Sequence, residues 1–218
     1  RIIHQVKKDK INGINVTTPF KKSVIPFLDQ LSQIAEKVQS VNTIFKKNNK
    51  VIGDNTDVIG FEQGLKHINY SVKNKKIFIL GAGGVVPSII LALKRLGAAK
   101  IILSNRTKEK AEDLKKSFSD LKIINWGENV DFDMIINATS LGLKKEDKIE
   151  LDFSKIGSDK LFYDVIYNPS KTNFLLKGEE LGNKIENGKT MFIYQAQLAF
   201  KIWHDILPKV HNKLLEND

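Results

Sequence analysis

Ile77-Phe78-Ile79-Leu80-Gly81-Ala82-Gly83-Gly84 is the stretch on which the fold turns. Four consecutive apolar residues read as a buried strand, and the glycines behind them as a turn into a helix over Pro87–Leu96 that Gly97 closes. Glycine serves such a turn twice: it tolerates positive φ, and it leaves no Cβ where backbone approaches an anion held at a helix N-terminus. The pattern departs from G-x-G-x-x-G, because Val86 holds the third position and Gly84 is an extra glycine. A turn that merely packs a strand on a helix is the alternative, and it stays open at this point.

Outward from the turn the same alternation repeats. Ile101-Ile102-Leu103 reads as the next strand and Lys108–Phe118 as the next helix. Met134-Ile135-Ile136 and Leu161-Phe162-Tyr163 are two further strand cores, each followed by polar or Gly-containing residues. Strands alternating with helices predict parallel βαβ units, hence a doubly wound α/β (Rossmann-type) domain that binds a dinucleotide. Nearer the N-terminus, Ile14–Thr17, Val41–Phe45 and Val51-Ile52 predict a smaller sheet with a helix over Pro26–Val38, and a last helix is expected over about Met191–Ile206.

Composition narrows the class. The chain has 218 residues, 41% of them apolar, and no apolar run near the roughly 20 residues of a membrane span, so a cytoplasmic protein is expected. With no cysteine, thiolate metal sites and disulfides are excluded, and the four histidines lack ligand spacing, so no metal is expected. The net charge of +10 raises nucleic acid as a partner, but of 35 basic residues three are Arg and the rest Lys, in runs no longer than two. Phosphate-reading surfaces favour the guanidinium fork, so this pattern reads as a solvated surface. Arg1-Ile2-Ile3-His4 lacks the apolar stretch of a signal peptide and is not a start, so an N-terminal segment is expected to be missing.

The residues that end the strand after the glycine turn meet the adenosine ribose of a bound dinucleotide, where an acid would accept the 2′-hydroxyl of NAD. This chain has Asn105-Arg106-Thr107 there, with Lys110 one turn on. A guanidinium among hydroxyl and amide groups suits the 2′-phosphate of NADP. An N-cap at Asn105 or Thr107 beside a solvated Arg106 is the alternative.

Gly13-Ile14-Asn15-Val16-Thr17-Thr18-Pro19-Phe20-Lys21, Val41-Asn42-Thr43, Gly53-Asp54-Asn55-Thr56-Asp57, the Gly81 turn, Asn105-Arg106-Thr107, Asn137-Ala138-Thr139-Ser140-Leu141-Gly142, Asp164-Val165-Ile166-Tyr167-Asn168-Pro169 and Gln195-Ala196 occur in one order along the chain. In that order the sequence resembles the shikimate dehydrogenases from Gly13 to Ala199. The resemblance implies NADPH-linked reduction of 3-dehydroshikimate to shikimate, with Lys21 and Asp57 as the catalytic pair. It implies substrate binding by Asn15, Thr17, Asn42, Asp57, Tyr167 and Gln195. It implies cofactor binding by Gly81, Ala82, Gly83, Gly84, Val85, Asn105, Arg106, Thr107 and Lys110, with Val165 and Gly188 near the nicotinamide.

The chemistry of those residues is consistent with the roles. A cation beside a ketone that gains negative charge as hydride arrives stabilises the transition state and can supply the proton. A carboxylate can hold that cation and accept from a substrate hydroxyl. Asn15 and Thr17, two apart in an extended run, are expected on one face of a strand. Gln195 falls on an apolar stripe with Phe192, Ala199, Ile202 and Ile206 and so needs a partner, whereas Gln197 is expected to be solvated.

The implied organisation is a substrate domain over 1–57, incomplete at its N-terminus, an NADP-binding domain over 58–189, and a C-terminal helix within 190–218 that returns to the substrate domain. The family's substrate-carboxylate serines and the His-Asn after them match nothing before Gly13, Val58 stands where the family commonly has glycine, and Pro87 where a basic residue is common. About forty further N-terminal residues are expected from the family's layout. The expected partner is a small molecule, with no nucleic acid and no membrane, for a monomer or homodimer. An NAD-dependent enzyme on quinate, one on a methylene-folate, and a non-catalytic binder of an anionic polymer are the alternatives.

Overall fold

The structure, a computed structural model, describes residues 2–215. Its N-terminal part runs α1 (Ile2–Lys7), β1 (Gly13–Asn15), α2 (Phe20–Ser23), a 3-10 turn over Ile25–Phe27, β2 (Gln30–Leu31), α3 (Gln33–Val38), β3 (Thr43–Lys47) and β4 (Lys50–Asp54). The strands form a sheet in the order β1-β3-β4-β2, antiparallel except where β2 joins β4. Val6, Ala35, Val41, Ile44 and Val51 are its buried core.

The helix expected over Pro26–Val38 is a 3-10 turn, a strand and a shorter helix. Backbone pairing decides against continuous helix: Asp29 N–H donates to Val51 O (2.9 Å), Val51 N–H to the Asp29 carboxylate (2.8 Å) and Ser32 N–H to Gly53 O (2.8 Å). Ser32 then caps α3 by accepting from Ala35 N–H at 3.1 Å. The strand expected to reach Thr17 stops at Asn15, and the one expected from Val41 begins at Thr43.

The chain continues through α4 (Asp57–His67), β5 (Lys76–Leu80), α5 (Val86–Arg95), β6 (Lys100–Ser104), α6 (Lys108–Ser117), β7 (Lys122–Ile124), β8 (Met134–Asn137), β9 (Leu161–Asp164), α7 (Asn173–Glu180), β10 (Lys184–Glu186), α8 (Lys189–His204) and α9 (Asn212–Leu215). Six of these strands pair in parallel in the order β10-β9-β8-β5-β6-β7. The order reverses between β5 and β8, so the loops leaving these two strands part and open a crevice at their C-terminal ends.

Because alternate residues of a strand face opposite ways, Ile77 and Ile79 of β5 pack with α4 and α5, while Phe78 and Leu80 join Phe162, Phe174 and Leu175 on the other face. Pro87, in the first turn of α5, sits where a missing N–H costs nothing, and Val58 is fully buried in α4. Among the described residues no helix is long and apolar enough to cross a membrane, and no cluster of His, Asp or Glu is arranged to hold a metal ion.

Candidate active site

A cleft of about 370 Å³ opens between the two sheets. Its lining brings together Asn15, Thr17, Lys21, Asn42, Asp57, Tyr167 and Gln195, with Val85, Val165 and Gly188 beside them. Lys21 and Asp57 are 36 residues apart in sequence, yet Lys21 Nζ donates to Asp57 Oδ2 at 2.6 Å, with only 13% and 7% of their side chains exposed.

Local structure aims both groups. The α2 turn is fastened to the sheet by Val41 N–H donating to Lys21 O (2.8 Å), which fixes the lysine's backbone. Asp57 opens α4, where the helix dipole favours a carboxylate. Burying an ion pair costs solvation that its attraction rarely exceeds by much, so so dry a pair is weak evidence for stability.

Asn42 is the hub of the pair's surroundings. Its amide nitrogen, with two protons to give, lies within hydrogen-bond reach of Thr56 Oγ1 (2.9 Å), Asp57 Oδ1 (3.0 Å) and Gln195 Oε1 (3.2 Å), and its oxygen accepts from Thr56 N–H (2.8 Å). Asn55 and Ser40, which the sequence reading left without a role, tie this end to the glycine turn. Ser40 Oγ donates to Gly84 O (3.0 Å), and Asn55 Oδ1 accepts from Ser88 Oγ of α5 (3.1 Å). The signal for Asn55 in the sequence is its place in the Gly53–Asp57 run, and Ser40 stands just before Val41-Asn42-Thr43.

Gln195 has its partner, as its place on the stripe required, but the stripe itself is not uniformly buried: Phe192 is 46% exposed and Ile206, beyond the helix end, 62%. Gln197 is half-buried and donates to Pro208 O at 2.7 Å, so it is not solvated. The α4 and α8 backbones come close because α4 carries Gly60 and Gly64: a Cβ on Gly60 would stand 2.9 Å from both Gln195 Cβ and Met191 O. Asn15 is exposed at the end of β1 and Thr17 lies beyond the strand, yet both line the cleft.

The glycine turn divides by function. Gly81 has φ +108°, and a Cβ there would fall 2.7 Å from Ala138 O, so this glycine is a packing requirement where β5 meets the end of β8. Gly83 and Gly84 are exposed, and a Cβ on either would have nothing nearer than 3.8 Å. Open space before two glycines at the start of a ten-residue helix fits a pyrophosphate. The Gly84 position adjoins Lys21, whose Cδ is 3.8 Å from that hypothetical Cβ.

At the rim, Asn105 Nδ2 donates to Thr107 O (2.7 Å), and Thr107 holds the N-cap position of α6 without a side-chain cap bond. Arg106 and Lys110 are exposed, with no ion pair among the described residues. Just before α8, a Cβ on Gly188 would lie 2.1 Å from Val165 O, so glycine there is obligatory, and Gly188 N–H donates to Ile166 O (3.2 Å).

Buried Asp164 holds the neighbouring loop by accepting from Thr172 Oγ1 (2.6 Å), Asn137 Nδ2 (3.0 Å) and Ile166 N–H (3.0 Å). Burial pushes its carboxyl up to about 6, against the pull of those hydrogen bonds. Met191 and Phe192 also line the cleft. In the sequence Met191 only opens the last helix, and Phe192 reads as part of its apolar stripe.

Two family models match the chain: the shikimate dehydrogenase substrate binding domain over residues 1–44, and shikimate / quinate 5-dehydrogenase over residues 63–144. The NADP(+) shikimate dehydrogenase of Pelagibacter ubique is 59% identical, the match covering 98% of this chain and 81% of that protein. A crystal structure of a shikimate dehydrogenase in complex with NADP+ superposes with a TM-score of 0.89 at 35% identity, over 95% of this chain and 76% of that one. The shikimate 5-dehydrogenase of Thermus thermophilus, in complex with NADP(H) and shikimate, gives 0.85 at 28% identity, over 95% and 79%.

Proposed function

This chain belongs to the shikimate dehydrogenase family, and from that premise we propose how its cleft performs the reaction. The enzyme is an NADP-dependent oxidoreductase that interconverts 3-dehydroshikimate and shikimate. When bound, NADPH supplies the hydride. Gly83, Gly84 and Val85 would hold its pyrophosphate at the start of α5, with Gly81 and Ala82 shaping the turn. Asn105, Arg106, Thr107 and Lys110 would take the 2′-phosphate, and Val165 and Gly188 would flank the nicotinamide.

Lys21 points its ammonium where the ketone oxygen gains charge, stabilises that oxygen and delivers the proton that completes the alcohol. Asp57 keeps Lys21 in place and accepts from a substrate hydroxyl through whichever carboxylate electrons Lys21 and Asn42 leave free. Asn15, Thr17, Tyr167 and Gln195 orient the ring. Asn42 serves mainly by aiming Asp57 and Gln195, since its amide is already committed to them.

The observation that carries this reading is the buried Lys21–Asp57 pair, 2.6 Å across, in a polar cleft beside the glycine turn. Nicotinamide absorbance followed with each pairing of NADP or NAD with shikimate or quinate tests it. Fastest reduction is expected with NADP and shikimate. A preference for NAD with quinate would replace the reading, and no turnover with any pairing would refute it.

A further inference from the structure

Tyr167 comes from the segment after β9 and Phe192 from the first turn of α8, yet their rings stack with centroids 4.7 Å apart and planes 23° from parallel. Both line the cleft, and both are open to it, 42% and 46% exposed. The backbone just before Tyr167 is held, because Ile166 N–H donates to Asp164 and Ile166 O accepts from Gly188 N–H. The Tyr167 side chain is not held in that way: its hydroxyl has no hydrogen-bond partner among the described residues. Its ring direction is therefore left to packing, and the Phe192 face supplies it.

We propose that Phe192 is a positioning residue for the substrate, acting through Tyr167: the stack holds the tyrosine ring so that its hydroxyl already faces the place where the hydroxylated ring binds. This rests on the assignment of Tyr167 to the substrate. An exposed tyrosine without the stack samples several rotamers, and binding must then freeze one of them. Phe192 itself is held by its helix, where its carbonyl accepts from Gln195 Nε2 at 3.0 Å. The two substrate-facing side chains thus meet at one residue.

The test is a cycle of Tyr167→Phe, Phe192→Ala and the double variant, with KM for shikimate, kcat and the Kd for NADP measured on each. Phe192→Ala is expected to raise KM about three- to tenfold, the range of an aromatic pair, with kcat and the Kd for NADP little changed. Phe192→Tyr, which keeps a ring, should restore KM. In the Tyr167→Phe background, Phe192→Ala should add little, because the hydroxyl it positions is gone. An equal loss in both backgrounds would mean that Phe192 touches the substrate directly, and no loss in either would mean that the stack is incidental; each overturns the proposal alone. A normal KM in Tyr167→Phe would remove the substrate role of Tyr167 and the proposal with it.

Discussion

The two ends of the cleft are built by opposite rules. Around Lys21 and Asp57 the polar groups are tied into one net: Asn42 bonds Thr56, Asp57 and Gln195, and Ser40 carries the net to the glycine turn. Around Arg106 almost nothing is. Arg106 and Lys110 stand in solvent, and the Thr107 hydroxyl leaves its helix uncapped. Chemistry needs reacting atoms fixed within fractions of an ångström, whereas recognising a doubly charged phosphate needs only cations within reach. The contrast predicts rigid, transition-state effects at the first end and loose, cofactor-selective effects at the second.

The largest effect belongs to the tied end. Lys21→Met keeps the apolar stem and deletes the charge, so kcat should fall about 10²- to 10⁴-fold while dissociation constants for NADP and shikimate move much less. Asp57→Asn should also lose rate, and the double variant should be no worse than about the poorer single, because the two act as one unit. Near-normal kcat in Lys21→Met would erase the distinction between the two ends.

A smaller effect concerns Glu186, which anchors the start of α8 by accepting from Thr190 Oγ1 at 3.1 Å. Burial raises its carboxyl from 4.5 to about 7. The native state therefore binds more protons than the unfolded chain between those values, so stability falls as pH rises through that window and the loss is complete above it. Glu186→Gln keeps the acceptor and removes the charge. It should match the parent near pH 4 and exceed it by up to about 3 kcal/mol near pH 8 in denaturant unfolding. Parallel pH profiles for the two proteins would contradict this.

At the loose end, Arg106→Asp exchanges attraction for repulsion at one exposed phosphate. It should weaken NADP by about ten- to a hundredfold, as for a charge-assisted bond, and NAD hardly at all, by calorimetric titration. Equal weakening of both would move the discriminating group elsewhere.

Much of this was legible in the sequence for identifiable reasons. The β5 strand, its glycine turn and α5 combine an unbroken apolar run, a glycine cluster whose Gly81 has positive φ, and an apolar segment closed by Gly97, three signals that agree. Gln195 was legible as a polar residue on an apolar stripe that had to find a partner. Strands β7 and β10 were not, because three residues carry no period. The helix read over Pro26–Val38 failed because its apolar spacing suits a helix while Asp29 and Ser32 bond across to β4, a long-range choice no local pattern records. Asn42 was placed at the site, but its bonds to residues 14, 15 and 153 positions away recast it as the piece that aims the others.

The most direct test of the division between the two ends is the ratio of kcat/KM for NADP over NAD, measured with shikimate in the parent, Lys21→Met and Arg106→Asp. The account predicts that Lys21→Met lowers both values and leaves the ratio where it was, while Arg106→Asp collapses the ratio and leaves kcat at saturating cofactor near that of the parent. A ratio that shifts in Lys21→Met, or a kcat that falls in Arg106→Asp, would contradict it.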